Sequence, residues 1–325
     1  MLTRIGAAAV RWAAAHEPHG NVYGVARTLI ALGSLGTFLF SPVTSVFHPA
    51  VGIPVSPPCP ASVSAGLFCV VGEGRLELAR WITIAVLMLV ASGWRPRITG
   101  VLHWYVTWSF MTSATMVDGG DQAAGILALI LLPVTLLDGR RWHWDAIPTA
   151  SLDSPTAWMK RILALSCLLV ARIQVAGIYL HAAVGKMPVE EWRDGTATYY
   201  WFNNPWFGLP DYLAFARPWL ANPLVAAGIT WGAIVLELFL FAALLMDRRH
   251  RWMLLLAGVG FHAAIAVSHG LLSFSLVMSG ALVLYLRPLE QPFALPAWAR
   301  RLAALRLSGL PRPGRVPDSA RPAGA

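Results

Sequence analysis

Long apolar runs separated by short polar or basic stretches organise this chain. They fall at about Tyr23 to Ser41, Leu76 to Trp94, Ile98 to Val117, Gln122 to Leu137, Arg161 to Gly185, Pro223 to Met246, Trp252 to Ser268 and Leu271 to Leu286. Runs of roughly 17–25 residues are the length that carries a helix across a bilayer. The pattern therefore predicts an all-α integral membrane protein with about eight transmembrane helices. Ahead of them, MLTRIGAAAVRWAAAHEPHG resembles a secretory signal only superficially, because Arg11 interrupts its apolar stretch before a His-Glu-Pro-His break. An amphipathic helix lying at the interface is the better reading of residues 1–20.

Composition and charge sharpen this picture. Of 325 residues, 57% are hydrophobic and 13% charged, against roughly 25% charged in soluble domains. A typical soluble enzyme is excluded. The net charge of +9 would suggest nucleic acid in a soluble protein, but here the arginines sort by connection. Arg4 and Arg11, Arg95 and Arg97, Arg140 to Arg161, and Arg248 to Arg251 all fall on one side if eight helices alternate. Basic residues mark the cytoplasmic side, so both termini are expected there, in the cell membrane, with membrane lipids and not nucleic acid as surroundings. The expected division is an interfacial segment (1–20), a transmembrane domain (21–288) and a basic Pro/Arg/Ala-rich cytoplasmic tail (289–325). No internal repeat or pair of broken helices favours a secondary transporter.

The face opposite the arginines carries the unusual residues. Cys59 and Cys69 share a predicted outer loop, where a disulfide is the favoured reading and two free thiols the alternative; Cys167 reads as a packing residue. No Cys/His spacing suits a metal. Arg27, Arg172, Gln174, His181, Glu237 and His262 lie within predicted spans, where ionisable groups are costly and need partners. Glu237 is the natural partner for Arg27 or Arg172, while packing and site roles are equally open for His262. Lys186 stands where the fifth span gives way to an aromatic, Gly/Pro-broken segment. It is one of only two lysines among 25 basic residues, and an amine, unlike a guanidinium, can lose its proton when desolvated. Snorkelling at a helix end competes with that reading. Trp192, Tyr199 and Tyr200 form either an interfacial belt or the wall of an amphipathic pocket, and Asp194-Gly195 makes a turn. Neither a nucleophile elbow nor an HExxH helix is present.

These residues resemble the HTTM superfamily, the membrane domain that includes the vitamin K-dependent gamma-glutamyl carboxylases. The Gly185-Lys186-Met187 step, the Trp192-x-x-Gly195 turn and the Tyr199-Tyr200 pair carry the likeness, with Phe261-His262, Phe274-Ser275 and Val277-Met278 following in the same order. Within it, the chain is similar to the sporulation-delaying protein SdpB family through Asn21-Val22-Tyr23-Gly24-x-x-Arg27, the paired outer-loop cysteines and Asp118-Gly119-Gly120-Asp121. The resemblance covers residues 20 to 290. It implies a membrane component needed to produce or mature a secreted antimicrobial peptide, with a peptide toxin precursor and a small SdpA-like protein as partners. It implies Lys186 as a general base and His262 as an orienting or proton-shuttling group. Trp192, Gly195, Tyr199, Tyr200, Asp118 and Asp121 would meet substrate. Two departures limit the transfer: the carboxylase Asn-His feature before the fourth span is absent, and no large extracytoplasmic region follows the eighth. Whether quinone or lipid binds is left open. A non-catalytic assembly or export partner is the main alternative, ahead of a quinone-coupled carboxylase or a transporter.

Overall fold

Each of the eight apolar runs is a helix in the computed structural model, which describes residues 2–52, 56–145 and 154–293. They are α2 (Asn21–Phe40), α3 (Leu76–Ser92), α4 (Pro96–Ser113), α5 (Gly119–Leu137), α6 (Pro155–Lys186), α7 (Pro223–Ala242), α8 (Arg251–His269) and α9 (Leu272–Leu286), preceded by α1 (Leu2–Ala15). Five of them, α2 and α5 to α8, are long and apolar enough to cross a membrane. The described residues contain no strand beyond an isolated bridge between Trp94 and Trp142. The expected basic tail lies, from residue 294 on, outside the described residues.

Two helices begin three or more residues ahead of their apolar runs, and capping explains both. Helix α5 starts at Gly119 because Asp118 is its N-cap, the carboxylate accepting the Asp121 amide at 2.7 Å, as a short acidic side chain does for an otherwise orphaned donor. Helix α6 begins before the apolar run, at Pro155, where the Ser154 hydroxyl accepts the Ala157 amide. The first two turns of α6 are thus set by a cap and a proline at N1 rather than by hydrophobicity.

Packing centres on α2 and α9. At 15 residues α9 is the shortest of the eight, yet everything from Val277 to Leu286 apart from Ser279 is buried. Glycines bring its backbone against α2. A Cβ on Gly280 would sit 2.8 Å from the Ala26 carbonyl and 2.9 Å from Ile30. Small residues at such crossings substitute close backbone contact for a hydrophobic driving force that lipid does not supply. At one end of the bundle, Phe38, Phe47, Phe68 and Phe110 cluster, with Phe38–Phe110 and Phe47–Phe68 centroids both at 4.7 Å. The Cys59–Cys69 disulfide closes the loop over this cluster.

Arg27, buried to 1% exposure, does not pair with Glu237 as the sequence suggested. Its guanidinium donates to Thr99 Oγ1 at 2.7 Å and lies 3.5 Å from His143 Nδ1. Arg172 is likewise apart from Glu237 and donates to the carbonyls of Leu284 and Arg287. Helix order is the reason. Helix α2 packs on α3 and α9 whereas α7 packs on α6, and Arg172 lies fourteen residues, about 21 Å, along α6 from Lys186.

His143 fills the space that Gly24 and Gly93 leave open and approaches the Thr28 hydroxyl at 3.3 Å. It sits in the loop after α5, where burial, reinforced by the Arg27 and Arg140 guanidiniums, pushes its imidazole down to about 2. In the unfolded chain it titrates near 6.5. The fold therefore holds it neutral, and that contribution is complete above about pH 6.5 and erodes as pH falls below it, by up to ~1.4 kcal/mol per pH unit. Melting of the detergent-solubilised protein between pH 7 and 5 should show this acid sensitivity, and His143→Gln should flatten it by about one proton. Equal slopes for the two proteins would contradict a buried neutral His143.

Candidate functional site

Helices α6, α7, α8 and α9, the first residue of α5 and the segment after Lys186 enclose the site. Tyr179, Ala182 and Lys186 recur at i, i+3 and i+7 on α6, and Thr230, Ala233 and Glu237 do so on α7, so each set shares one helical face. Between these faces and the Phe261–His269 stretch of α8 lies a cavity of about 470 Å³ with mainly apolar walls. Its size suits a small or medium amphipathic ligand.

Lys186 closes α6, but its side chain does not reach outward as a snorkelling lysine would. Its Nζ turns back along its own helix, donating to the Ala182 carbonyl at 3.1 Å and to both carboxylate oxygens of Glu237 at 2.7 and 2.8 Å. The Trp192 ring lies 5.1 Å from the ammonium, a cation–π distance. Glu237 is 7% exposed and Lys186 21%. Glu237 also lies fourteen residues, about 21 Å, along α7 from Pro223, so the ion pair is deep in the bundle. Its charges stabilise each other where neither alone would be tolerated.

A second polar pair faces the same cavity. His262 Nε2 lies 2.9 Å from the Tyr179 hydroxyl, which fixes the ring between α6 and α8. The imidazole is 2% exposed, and its Nδ1 is buried with no partner among the described residues. Phe261 and Phe274 approach His262 edge-on at 5.3 Å. Among the described residues no three of His, Cys, Asp and Glu gather as a metal site would require.

Residues 187–222 roof the cavity. The Asp194-Gly195 turn forms because the Asp194 carboxylate accepts both the amide and hydroxyl of Thr196, at 2.9 and 2.6 Å; those donors hold its carboxyl below the usual carboxylate range. Gly195, at φ +87°, takes the left-handed conformation and lies close to Ala227 and Trp231, where a side chain would not fit. Thr198 then anchors the roof to α7, donating to the Ala226 carbonyl at 2.8 Å and meeting Thr230 Oγ1 at 2.6 Å. Phe202 stacks on His269 at 5.4 Å, and His269 Nδ1 lies 2.8 Å from the Phe207 carbonyl, which fixes the roof to α8.

Of the residues singled out in the sequence, Lys186, His262, Trp192 and Glu237 meet at this cavity. Gly195 shapes the roof, and Tyr199 and Tyr200 are 41% and 59% exposed and outside the cavity wall. Asp118 caps α5, and Asp121 is buried against the Thr37 hydroxyl between α2 and α5. Gln174 is half-buried and His181 exposed, both on α6. Sequence reasoning missed Tyr179 and His269. The seven-residue spacing from Tyr179 to Lys186, two turns on one face, was the available signal for the first; nothing local marked the second.

No family model matches the chain, and no solved structure does. Two proteins of Bacillus subtilis (strain 168) are similar. Uncharacterized protein YitO is 41% identical over 306 residues, covering 93% of this chain and 96% of the relative. Sporulation-delaying protein SdpB is 37% identical over 279 residues, covering 85% and 84%.

The ion pair makes a quantitative expectation. Glu237→Gln leaves an ammonium, and Lys186→Met a carboxylate, without its partner in an apolar wall, at a cost of ~2–4 kcal/mol each. The double variant should cost less than the two together, with a coupling of ~1–3 kcal/mol in denaturant or thermal unfolding of the solubilised protein. Additive losses would mean that the two groups do not interact.

Proposed function

The chain belongs to the SdpB-like family, and from that premise we propose that it is a multi-pass cell-membrane component needed to produce or mature a secreted antimicrobial peptide. The observation that carries this reading is the roofed, mostly apolar cavity into which an ion-paired lysine and a buried histidine project. In this reading all eight long helices cross the bilayer as an HTTM-like bundle, both termini are cytoplasmic, and the roof lies at the outer face. An amphipathic stretch of the peptide precursor enters the cavity, and a small SdpA-like protein takes part in binding the peptide.

Lys186 is the general base of the proposal, with Glu237 as the group that makes this chemistry accessible. Transfer of one proton from the ammonium to the carboxylate gives a neutral amine and a neutral acid, and it removes both charges from an apolar surrounding. The amine can then take a proton from the bound precursor. His262, oriented by Tyr179, is the orienting or proton-shuttling group of this reading. Trp192 lies against the amine, its ring 5.1 Å from Nζ.

A second reading rests on the same pair. Lys186 and Glu237 satisfy one another and tie α6 to α7, as expected of a non-catalytic scaffold or export partner. Lys186→Arg separates the two readings, because a guanidinium keeps the bidentate pair with Glu237 but does not give up its proton. The mass and activity of the secreted peptide should be measured in producers carrying wild type, Lys186→Ala or Lys186→Arg, at equal membrane abundance. The base reading expects immature or inactive peptide from both variants, with at least ~100-fold less mature product, as loss of general-base catalysis implies. Normal mature peptide from Lys186→Arg would leave the scaffold reading standing.

A further inference from the structure

A second pocket, sharing no lining residue with the first, lies against the middle of α6, about 21 Å along the helix from Lys186, and has a different chemistry. Its volume is about 230 Å³. One wall is the face of α6 made by Leu165, Leu168, Leu169 and Arg172, at i, i+3, i+4 and i+7. The others come from the chain leaving α7, the start of α8, the chain leaving α9, and Trp12 and His16 at the end of α1. Arg161 holds α1 in place, donating to the His16 carbonyl at 3.0 Å and pairing with Glu17.

Three guanidiniums, those of Arg172, Arg248 and Arg251, converge on this pocket, and Glu290 is the one carboxylate in its lining. Glu290 is already shared between His16 at 3.2 Å and Arg248 at 3.7 Å. Arg172 and Arg251 have no carboxylate partner among the described residues. Arg251 donates to the carbonyls of Leu244 and Met246 at 3.0 to 3.2 Å, and Arg172 to those of Leu284 and Arg287 at 3.4 and 3.3 Å. Carbonyls at helix ends offset a cation only in part. An excess of two positive charges therefore surrounds a space large enough for a phosphate, and planar guanidiniums are the donors that phosphate oxygens fit best.

We propose that this pocket binds the headgroup phosphate of one anionic phospholipid. A soluble phosphate would satisfy the same arginines, but two features favour the lipid. On the Lys186 side of Arg172, the exposed face of α6 carries Ile173 and Val184, 54% and 50% exposed, giving acyl chains an apolar path from the charged floor into the bilayer. Neighbouring α6 positions Leu169, Val170 and Ile173 are 47%, 51% and 54% exposed, so this side of the helix presents hydrocarbon outward. Basic pockets of this kind between membrane helices recognise anionic headgroups. The proposal does not depend on the role of Lys186.

The test is native mass spectrometry of the full chain, extracted in mild detergent from membranes containing phosphatidylglycerol and phosphatidylethanolamine. Wild type should retain one phosphatidylglycerol with a preference of about tenfold or more, as two uncompensated charges imply. The Arg172→Gln/Arg251→Gln double variant should lose most of that preference. Absence of a headgroup preference in wild type overturns the proposal without any variant, so a variant that fails to accumulate does not protect it. An unchanged preference in the double variant also overturns it. A third arm adds inorganic phosphate to wild type both delipidated and loaded with phosphatidylglycerol. If millimolar phosphate raises the melting temperature and displaces phosphatidylglycerol, a soluble anion is the occupant and the lipid assignment falls.

Discussion

An ammonium and a carboxylate deep in an apolar bundle oblige each other to be there. Lys186 gives both Glu237 oxygens a hydrogen bond, at 2.7 and 2.8 Å, and either charge alone would be expelled or neutralised. Much of the site depends on this one contact. The lysine stem bends back down α6 to reach Glu237, and the helix ends at Lys186 because Pro188 has no amide with which to continue it. Trp192 returns over the ammonium, and Thr198 and His269 fasten the remainder of the roof to α7 and α8. Roof, cavity and ion pair are thus parts of one arrangement.

The cavity lies beside a tightly packed core and under two helices that bury little. Helix α2 and the second half of α9 are locked by glycine contacts and the Arg27–Thr99 bond. Helix α8, by contrast, buries only Gly258 and His262, and α7 leaves Trp231, Val235 and Phe239 about half exposed. Tyr179 on α6 and Phe274 on α9 hold His262 in place, whereas the rest of α8 and the outer face of α7 are lightly packed. The end and the middle of α6 also differ in charge balance. Its end presents a lysine compensated by a buried acid, and its middle presents Arg172, whose neighbours Arg248 and Arg251 leave positive charge to spare.

Much of this is legible in the sequence where the signal is local. Apolar run length locates the eight helices, the outer-loop spacing of Cys59 and Cys69 points to their disulfide, and the rarity of lysine draws attention to Lys186. Pairing inside the bundle is not legible, because hydropathy records that a segment enters the membrane and not which neighbour it meets. Sequence alone therefore matches Glu237 to the wrong cations. Asp118 and Asp121 look like a polar turn, although an Asp just ahead of an apolar run with a second acid three residues on is also a helix-start pattern. His143 carries no pattern at all: a lone histidine in a loop becomes structural only because Gly24 and Gly93, far apart in sequence, leave it room.

Photocrosslinking from inside the cavity tests the central claim most directly. Ile229 lines the cavity and is 40% exposed, so benzoylphenylalanine fits there without replacing a core residue, and Val170, on α6 outside either pocket's wall, serves as the control. In peptide-producing cells, irradiation should join the precursor to position 229 and not to position 170. Equal adducts at the two positions, or none at 229 in a protein that still supports peptide production, would contradict a substrate-binding role for the Lys186–Glu237 cavity.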